Sequence, residues 1–149
     1  MLLVVLILVV GADQWIKALV VAAIPVSMSV PVVPGVLSLT HVQNRGVAFG
    51  LFAGLSPLIA ALAALTLVFL LSYNKGRRLR SRAAGAGIAL MAGGAAGNLV
   101  DRVRLGYVVD YLDVHVWPVF NLADVAIVVG AGILILALSR EGSLAQSRR

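Results

Sequence analysis

Four long apolar stretches, separated by shorter polar segments, organise this chain of 149 residues. They cover approximately residues 2–24, 56–73, 83–105 and 121–139. A bilayer core about 30 Å thick needs about 20 helical residues to cross it, and somewhat shorter spans are tolerated. The pattern therefore predicts four transmembrane helices in one membrane-embedded domain, residues 1–149. Gly93 and Gly97 form a small-xxx-small step on the third helix, which predicts close packing against a neighbour.

A different pattern appears between the first two helices. Val36–Val42 is rich in β-branched residues and partly alternating, with Pro31 and Pro34 before it and Asn44 in a turn sequence after it. Such a run bounded by turn residues is typical of a strand in a small hairpin. The predicted fold is an all-α integral membrane protein with a small β-hairpin within about residues 30–50.

The basic residues predict how the helices are oriented, because lysine and arginine concentrate on the cytoplasmic side of membrane proteins. One basic cluster lies between the second and third helices, and the other follows the fourth helix: Lys75, Arg77, Arg78, Arg80, Arg82, and Arg140, Arg148, Arg149. Both termini are therefore expected in the cytoplasm, and the hairpin and residues 106–120 outside. Arg102 and Arg104 are exceptions, since they lie near the outer end of the third helix.

Composition supports a membrane protein and narrows its chemistry. The chain is 61% hydrophobic and 12% charged, against about 45–50% and about 25% in soluble domains. The formal charge of +6 is explained by the two basic clusters, so we expect no nucleic-acid partner. There is no cysteine and there are only two histidines, which excludes thiol chemistry and makes a His-rich metal site unexpected. We expect no metal and no cofactor.

Two carboxylates on the outer side are the strongest candidates for chemistry. Asp110 follows the third helix and Asp124 begins the fourth, so a short loop connects them on one face of the bilayer. Two neighbouring carboxylates can share a proton and activate water. Either one alone is equally consistent with a helix cap. Because Asn121 could cap the fourth helix, Asp124 has no obvious structural duty, and the pair favours function; Asp113 is expected to be a solvated surface charge.

The remaining polar positions have structural alternatives. Asp13 and Lys17 are spaced i, i+4 on the first helix, which predicts an internal ion pair before it predicts substrate contact. Asn98, Asp101 and Arg102 form one polar stripe on the third helix, for which an interfacial cap with an outward-reaching arginine is an equally good interpretation. Asn44 is expected in a turn for backbone reasons alone. The aromatic residues near the outer face predict an interfacial belt: Tyr107, Tyr111, Trp117 and Phe120.

Five short motifs, in this order, carry a resemblance to a known family. They are Asp13-Gln14-Trp15-Ile16-Lys17, Asn44-Arg45-Gly46-Val47-Ala48-Phe49-Gly50, Gly93-Gly94-Ala95-Ala96-Gly97-Asn98-Leu99-Val100-Asp101-Arg102, Val108-Val109-Asp110-Tyr111 and Phe120-Asn121-Leu122-Ala123-Asp124. Over nearly its whole length the chain resembles bacterial lipoprotein signal peptidase, the aspartic signal peptidase II. Tyr111 departs from the usual Phe, and Val47 from the common Ala.

The resemblance implies a role for each matched position. Asp110 and Asp124 match the catalytic aspartates of the family. Four further residues match the lining of the substrate and antibiotic pocket: Asn44, Asn98, Arg102 and Asn121. Supporting charged positions are matched by Asp13, Lys17 and Asp101.

The implied activity is an intramembrane aspartic endopeptidase that cleaves prolipoproteins before a diacylglyceryl-modified cysteine. The implied setting is the bacterial cytoplasmic (inner) membrane, with a multi-pass chain and an active site near the extracytoplasmic face. Expected partners are lipid-modified prolipoproteins, membrane lipid and inhibitors of the globomycin type, with the protein acting as a monomer. The residues alone leave two alternatives, a small proton- or ion-coupled transporter and a membrane assembly subunit without enzymatic activity.

Overall fold

The computed structural model describes residues 2–46, 56–76 and 81–146. The described chain forms four helices and three strands: α1 (Leu2–Ala23), β1 (Ser29–Val33), β2 (Leu37–Asn44), α2 (Ser56–Gly76), α3 (Arg82–Leu105), β3 (Val108–Asp113) and α4 (Leu122–Gln146). Within these residues, three helices are long and apolar enough to cross a membrane, namely α1, α3 and the Leu122–Arg140 part of α4. Helix α4 continues beyond the predicted limit at residue 139. Residues 47–50 of the predicted β region, including Val47, lie outside the described residues.

Helix α3 is the centre of the bundle. In its most apolar stretch 56% of the residues are buried, against 17% in α1 and 22% in α4. Ser81 caps the start of α3, because its side chain accepts the backbone N–H groups of Ala83 and Ala84. Gly106 ends it with a left-handed backbone (φ 79°), and its N–H donates to the Arg102 carbonyl over 3.1 Å. The chain therefore leaves α3 abruptly and enters β3 two residues later.

Glycines on α3 let the other helices approach its backbone. A Cβ atom at Gly93 would lie 2.8 Å from Cβ of Val9 on α1, and a Cβ at Gly97 would lie 2.7 Å from Oδ2 of Asp13. Real Cβ atoms essentially never come that close to a neighbour. The predicted close packing at Gly93 and Gly97 is confirmed, and the helix that packs there is α1.

The β region is larger than predicted. Its three strands form one antiparallel sheet in the order β1-β2-β3. The predicted hairpin corresponds to β1 and β2, whereas β3 comes from the segment after α3 that sequence reasoning assigned to the membrane interface. Val108, Val109 and Tyr111 favour a strand in this segment, whereas its two aspartates are unfavourable, so propensity alone does not decide it. The fold is helical with a three-stranded sheet, rather than all-α with a hairpin.

The sheet is attached to the helices by a small apolar core. Val20 of α1 packs with Val109 and Tyr111 of β3, and all three are buried. Tyr111 is only 3% exposed, and its hydroxyl accepts the backbone N–H of Leu122 over 3.2 Å. The prediction that Tyr111 belongs to an interfacial aromatic belt is therefore wrong. A tyrosine hydroxyl can cap a helix start only where the ring is held against it, and β3 provides that placement.

The packing predicts that Gly94→Ala destabilises the protein by about 1–3 kcal/mol, the usual range for forced overpacking. A Cβ at Gly94 would collide with the carbonyl of Ala123 and lie 2.8 Å from Cγ1 of Ile127, both on α4. Thermal unfolding in detergent measures the change. Gly85→Ala is the matched control on the same helix, because a Cβ there meets nothing within 4 Å. Equal melting temperatures for the two variants would contradict the prediction.

Candidate active site

A buried ion cluster connects α1 to α3. The ammonium of Lys17 lies 2.9 Å from Oδ2 of Asp13 and 2.8 Å from Oδ2 of Asp101, and all three side chains are at most 4% exposed. The predicted Asp13–Lys17 ion pair is confirmed, and Asp101 is its third member. Buried charges are costly to desolvate, and one cation between two carboxylates offsets part of that cost.

Gln14 completes this cluster, although sequence reasoning gave it no role. Its Nε2 donates to Oδ1 of Asp101 over 2.8 Å and to the Gly97 carbonyl over 3.3 Å. The signal that could have found it is its position between two charged residues on a helix that is otherwise apolar. An amide there needs polar partners as much as its charged neighbours do.

Asp101 also extends the cluster into the sheet. Its Oδ2 accepts the backbone N–H of Val109 over 3.1 Å. That bond fixes β3 to α3 one residue before Asp110. Asp101 therefore holds the beginning of β3 against α3. The interpretation of Asp101 as part of an interfacial helix cap does not account for this bond.

Two asparagine amides connect the ion cluster to the two candidate carboxylates. Asn98 Oδ1 accepts from Lys17 Nζ and from Asn121 Nδ2, each over 3.0 Å. Since that oxygen is occupied by two donors, Asn98 Nδ2 is turned towards Asp124 and donates to Oδ1 over 2.8 Å. The positive charge of Lys17 thus determines which way the Asn98 amide faces.

Asp110 receives an amide donor on each carboxylate oxygen. Asn121 Nδ2 lies 2.7 Å from Oδ1, and Asn44 Nδ2 lies 2.9 Å from Oδ2. Burial nevertheless raises the pKa of Asp110 from 3.8 to about 7; the Asn44 bond opposes the rise, and the negative charge of Asp124 adds to it. Asp110 is 2% exposed. It is therefore a carboxyl group that exchanges its proton near neutral pH.

Asp124 has a structural duty that the sequence did not reveal. Asn121 precedes α4 and its Oδ1 accepts the Asp124 N–H over 3.0 Å, while Asp124 Oδ2 accepts the Asn121 N–H over 3.2 Å. This reciprocal pair is a capping box at the start of α4. The expectation that Asn121 leaves Asp124 without such a duty is wrong, because both residues share it. The box also holds Asp124 Oδ1 towards Asn98 and Asn121 Nδ2 towards Asp110.

Arg102 and Asn44 close the site from the side of β2. The Arg102 guanidinium donates to the carbonyls of Asn98 and Gly46 over 3.3 and 3.2 Å, so it spans from α3 to the end of the sheet instead of reaching outwards. Asn44 Oδ1 accepts the Gly46 N–H over 2.9 Å, which makes the predicted turn. The same side chain donates to Asp110, so the turn and the site contact coexist.

The structure brings all nine predicted positions into one contiguous network, and it leaves Asp113 outside. Asp113 accepts from Thr40 and from the His115 N–H at the sheet edge, and chiefly that backbone bond lowers its pKa. Among the described residues, no group of three or more histidine, cysteine, aspartate or glutamate residues could hold a metal ion. The network is thus a buried polar site, and the acidic groups that its asparagine amides hold are Asp110 and Asp124.

Known protein sequences resemble this chain over most of its length. The sequence model of the family described as Signal peptidase (SPase) II matches residues 5–140. The lipoprotein signal peptidase of Halothermothrix orenii is 45% identical over 141 residues, covering 93% of this chain and 94% of that protein. The lipoprotein signal peptidase of Syntrophomonas wolfei is 48% identical over 134 residues, covering 88% and 87%.

Solved structures show the same fold. One described as a bacterial membrane enzyme, solved by the in meso method at 2.3 Å, superposes with a TM-score of 0.88 at 28% identity and covers 95% of this chain and 89% of that one. A second with the corresponding description, at 1.9 Å, gives 0.83 at 29% identity and covers 92% and 91%. These matches favour the peptidase over the transporter and assembly alternatives. The chain belongs to the signal peptidase II family, and it is a multi-pass membrane peptidase that processes lipoproteins.

Proposed function

We propose that Asp110 and Asp124 form the catalytic dyad of an aspartic endopeptidase that cleaves prolipoproteins before a diacylglyceryl-modified cysteine. The observation that carries this proposal is the position of Asn121 between the two carboxylates. Its side-chain Nδ2 donates to Asp110 and its backbone N–H donates to Asp124. One residue thus fixes an oxygen of each acid, which is the preorganisation that a dyad needs.

The two acids have different surroundings and therefore different roles. The negative charge of Asp124 contributes to the raised pKa of Asp110, so the two acids do not both ionise easily and one proton is shared by the pair. With a pKa of about 7, Asp110 is the member that holds the proton. Each acid accepts two N–H donors, so burial separates their roles. Asp110 is almost fully buried whereas Asp124 is partly exposed, and burial disfavours the charged form of a carboxyl group.

In the proposed reaction, a water molecule attacks the carbonyl carbon before the modified cysteine. Asp124 takes a proton from that water, and Asp110 donates its proton to the carbonyl oxygen. When the peptide bond breaks, Asp124 gives the proton that it took from water to the leaving amine, which becomes the new amino terminus. Asp110 takes back a proton from a hydroxyl of the tetrahedral intermediate, so the dyad returns to its starting state. The products are a signal peptide with a free carboxylate and a lipid-modified cysteine with a free amine.

The other residues of the network would orient the dyad and the substrate. Asn98, Asn121 and Asn44 hold the carboxylates through their amides. Asp13 and Asp101 hold the ammonium of Lys17, which in turn fixes the Asn98 amide. The Arg102 guanidinium lies close enough to Asp110 and Asp124 for attraction. The proposed substrate and antibiotic pocket is lined by Asn44, Asn98, Arg102 and Asn121.

The proposed setting is the bacterial inner membrane, with the site near its extracytoplasmic face. Helix α2 has 21 residues, enough for about 31 Å at about 1.5 Å per residue, so we infer that it is the fourth span. From the basic clusters we infer that both termini lie in the cytoplasm, and we infer that residues 1–149 form one domain. A helical signal peptide and two acyl chains would enter laterally from the lipid. We expect a monomer that globomycin-type peptides inhibit.

Replacing either proposed catalytic acid by its amide tests the dyad. Asp110→Asn and Asp124→Asn each remove an acid or base while keeping side-chain size, so cleavage should fall by roughly 100-fold or more, as for loss of a general acid or base. Purified protein in lipid, given a lipid-modified prolipoprotein, provides the measurement. Asp113→Asn is the matched control and should cleave like the parent. An active Asp110→Asn or Asp124→Asn would remove that residue from the dyad.

The pKa of Asp110 predicts a pH dependence. Because that pKa is raised from 3.8 to about 7, the proton required of Asp110 is present at pH 6 and lost as pH rises through about 7. The rate at saturating substrate should be about tenfold lower at pH 8 than at pH 6.

Asn44 supplies an internal test of this assignment. Its bond opposes the rise in the Asp110 pKa, so Asn44→Ala should move the midpoint of the fall to higher pH. Gln43→Ala is the control, since Gln43 donates to the Tyr107 hydroxyl instead, and it should leave the midpoint in place. A midpoint that Asn44→Ala does not move would mean that another group titrates.

A further inference from the structure

The pairing of β2 with β3 has an irregularity directly beside the proposed dyad. Between the pairs Leu39–Leu112 and Val42–Asp110, β2 has two residues where β3 has one. This is a β-bulge, a feature that re-aims side chains and is common next to active sites. One of the two residues in the bulge is His41.

The bulge determines which side chains share a face with Asp110. Residues paired across two strands face the same side, and faces alternate along each strand. In the observed register Asp110 pairs with Val42, so Asn44, two residues further, lies on the same face and donates to it over 2.9 Å. If regular pairing continued from Leu39, His41 would oppose Asp110 and Asn44 would face the other side.

His41 is fastened to the connection between α1 and β1 at three points. Its ring Nδ1 lies 2.7 Å from the Ile24 carbonyl, which can only accept, so Nδ1 carries the hydrogen. Its backbone N–H donates to the Met28 carbonyl over 3.1 Å, and its own carbonyl accepts the Ser27 N–H over 2.8 Å. The residue is 3% exposed. Sliding β2 by one residue would break all three bonds.

We propose that His41 is a positioning residue that pins the bulge and so keeps Asn44 against Asp110. It acts through the strand register and through Asn44, without a hydrogen bond of its own to either carboxylate. Its importance for cleavage rests on the proposed function of Asp110, whereas its effect on register can be measured separately. A side-chain substitution can remove only the ring bond to Ile24, because the other two bonds use backbone atoms that the substituted residue also has.

Pairs of introduced cysteines can report the register, since the chain has none of its own. Gln43 pairs with Val109 in the structure, so Gln43→Cys with Val109→Cys should oxidise to a disulfide in the observed register. Val42→Cys with Val109→Cys should do so only after a one-residue slip, because these two side chains otherwise point to opposite faces. Gel mobility after mild oxidation of membranes measures both pairs.

We expect His41→Phe, which keeps a planar ring but loses Nδ1, to transfer cross-linking from the first cysteine pair to the second. His41→Asn, whose amide nitrogen can take the place of Nδ1, should retain the first pair. Thr40→Val is the matched control in the same bulge, because Thr40 contacts Ser29 and Asp113 rather than α1. If His41→Phe does not accumulate, His41→Leu tests the same bond.

Cleavage is then measured on the same His41 and Thr40 variants without cysteines. His41→Phe should lower kcat by roughly 100-fold, the loss expected from a misplacement of about 1 Å, while His41→Asn and Thr40→Val stay near the parent rate. Retention of the observed register in His41→Phe would overturn the proposal. A shifted register with full cleavage would also overturn the positioning role, because cleavage would then not require Asn44 against Asp110; the role of Asp110 itself is tested separately by Asp110→Asn.

Discussion

The polar interior depends on one buried ammonium. Lys17 contacts Asp13 and Asp101 within 2.9 Å and Asn98 at 3.0 Å, in a place that is almost completely shielded from solvent. Without that cation, two carboxylates would face each other in a medium of low dielectric constant, where an unpaired charge is strongly destabilising. The cation also accepts nothing, so every polar atom that touches it must be an acceptor.

Because Lys17 needs acceptors, it determines the orientation of the Asn98 amide and, through it, that of the Asn121 amide. Asn98 must present its oxygen to Lys17, which turns its nitrogen to Asp124. Asn121 donates to the same oxygen and to Asp110, so its own oxygen is left for the first turn of α4. A charge near the base of the site therefore decides which atoms face the proposed dyad, without direct contact to it. Fully satisfied networks of this kind hold one geometry because each alternative leaves a buried donor or acceptor unpaired.

The helices and the sheet contribute different constraints to the same place. Glycines on α3 let α1 and α4 come close enough for Asp13 and the start of α4 to meet its polar stripe. The sheet then delivers Asp110 from a strand, held by the Asp101–Val109 bond and by the register of β2. Asp124 comes from a helix start, where the capping box holds it. Because the two acids belong to separate elements, their surroundings differ, and burial can raise the pKa of Asp110 to about 7.

Hydropathy, turn residues and helical spacing were enough to predict the apolar spans, the hairpin and the residue types of the site. Whether a segment can enter lipid depends on its own residues, so hydropathy predicts the apolar spans. The Asp13–Lys17 pair and the Gly93–Gly97 step could be predicted because residues spaced i, i+4 share one face of a helix. Tertiary contacts were needed to show that Val108–Asp113 is a strand, that Tyr111 is buried, and that Gln14 and His41 have hydrogen-bond partners outside their own elements. Those outcomes depend on partners distant along the chain: Gln14 meets Asp101, and His41 bonds to the carbonyl at the end of α1. The pairing of β3 with β2 and the orientation of the amides have no signature within a single segment, because they depend on which donors and acceptors remain free after the helices have packed.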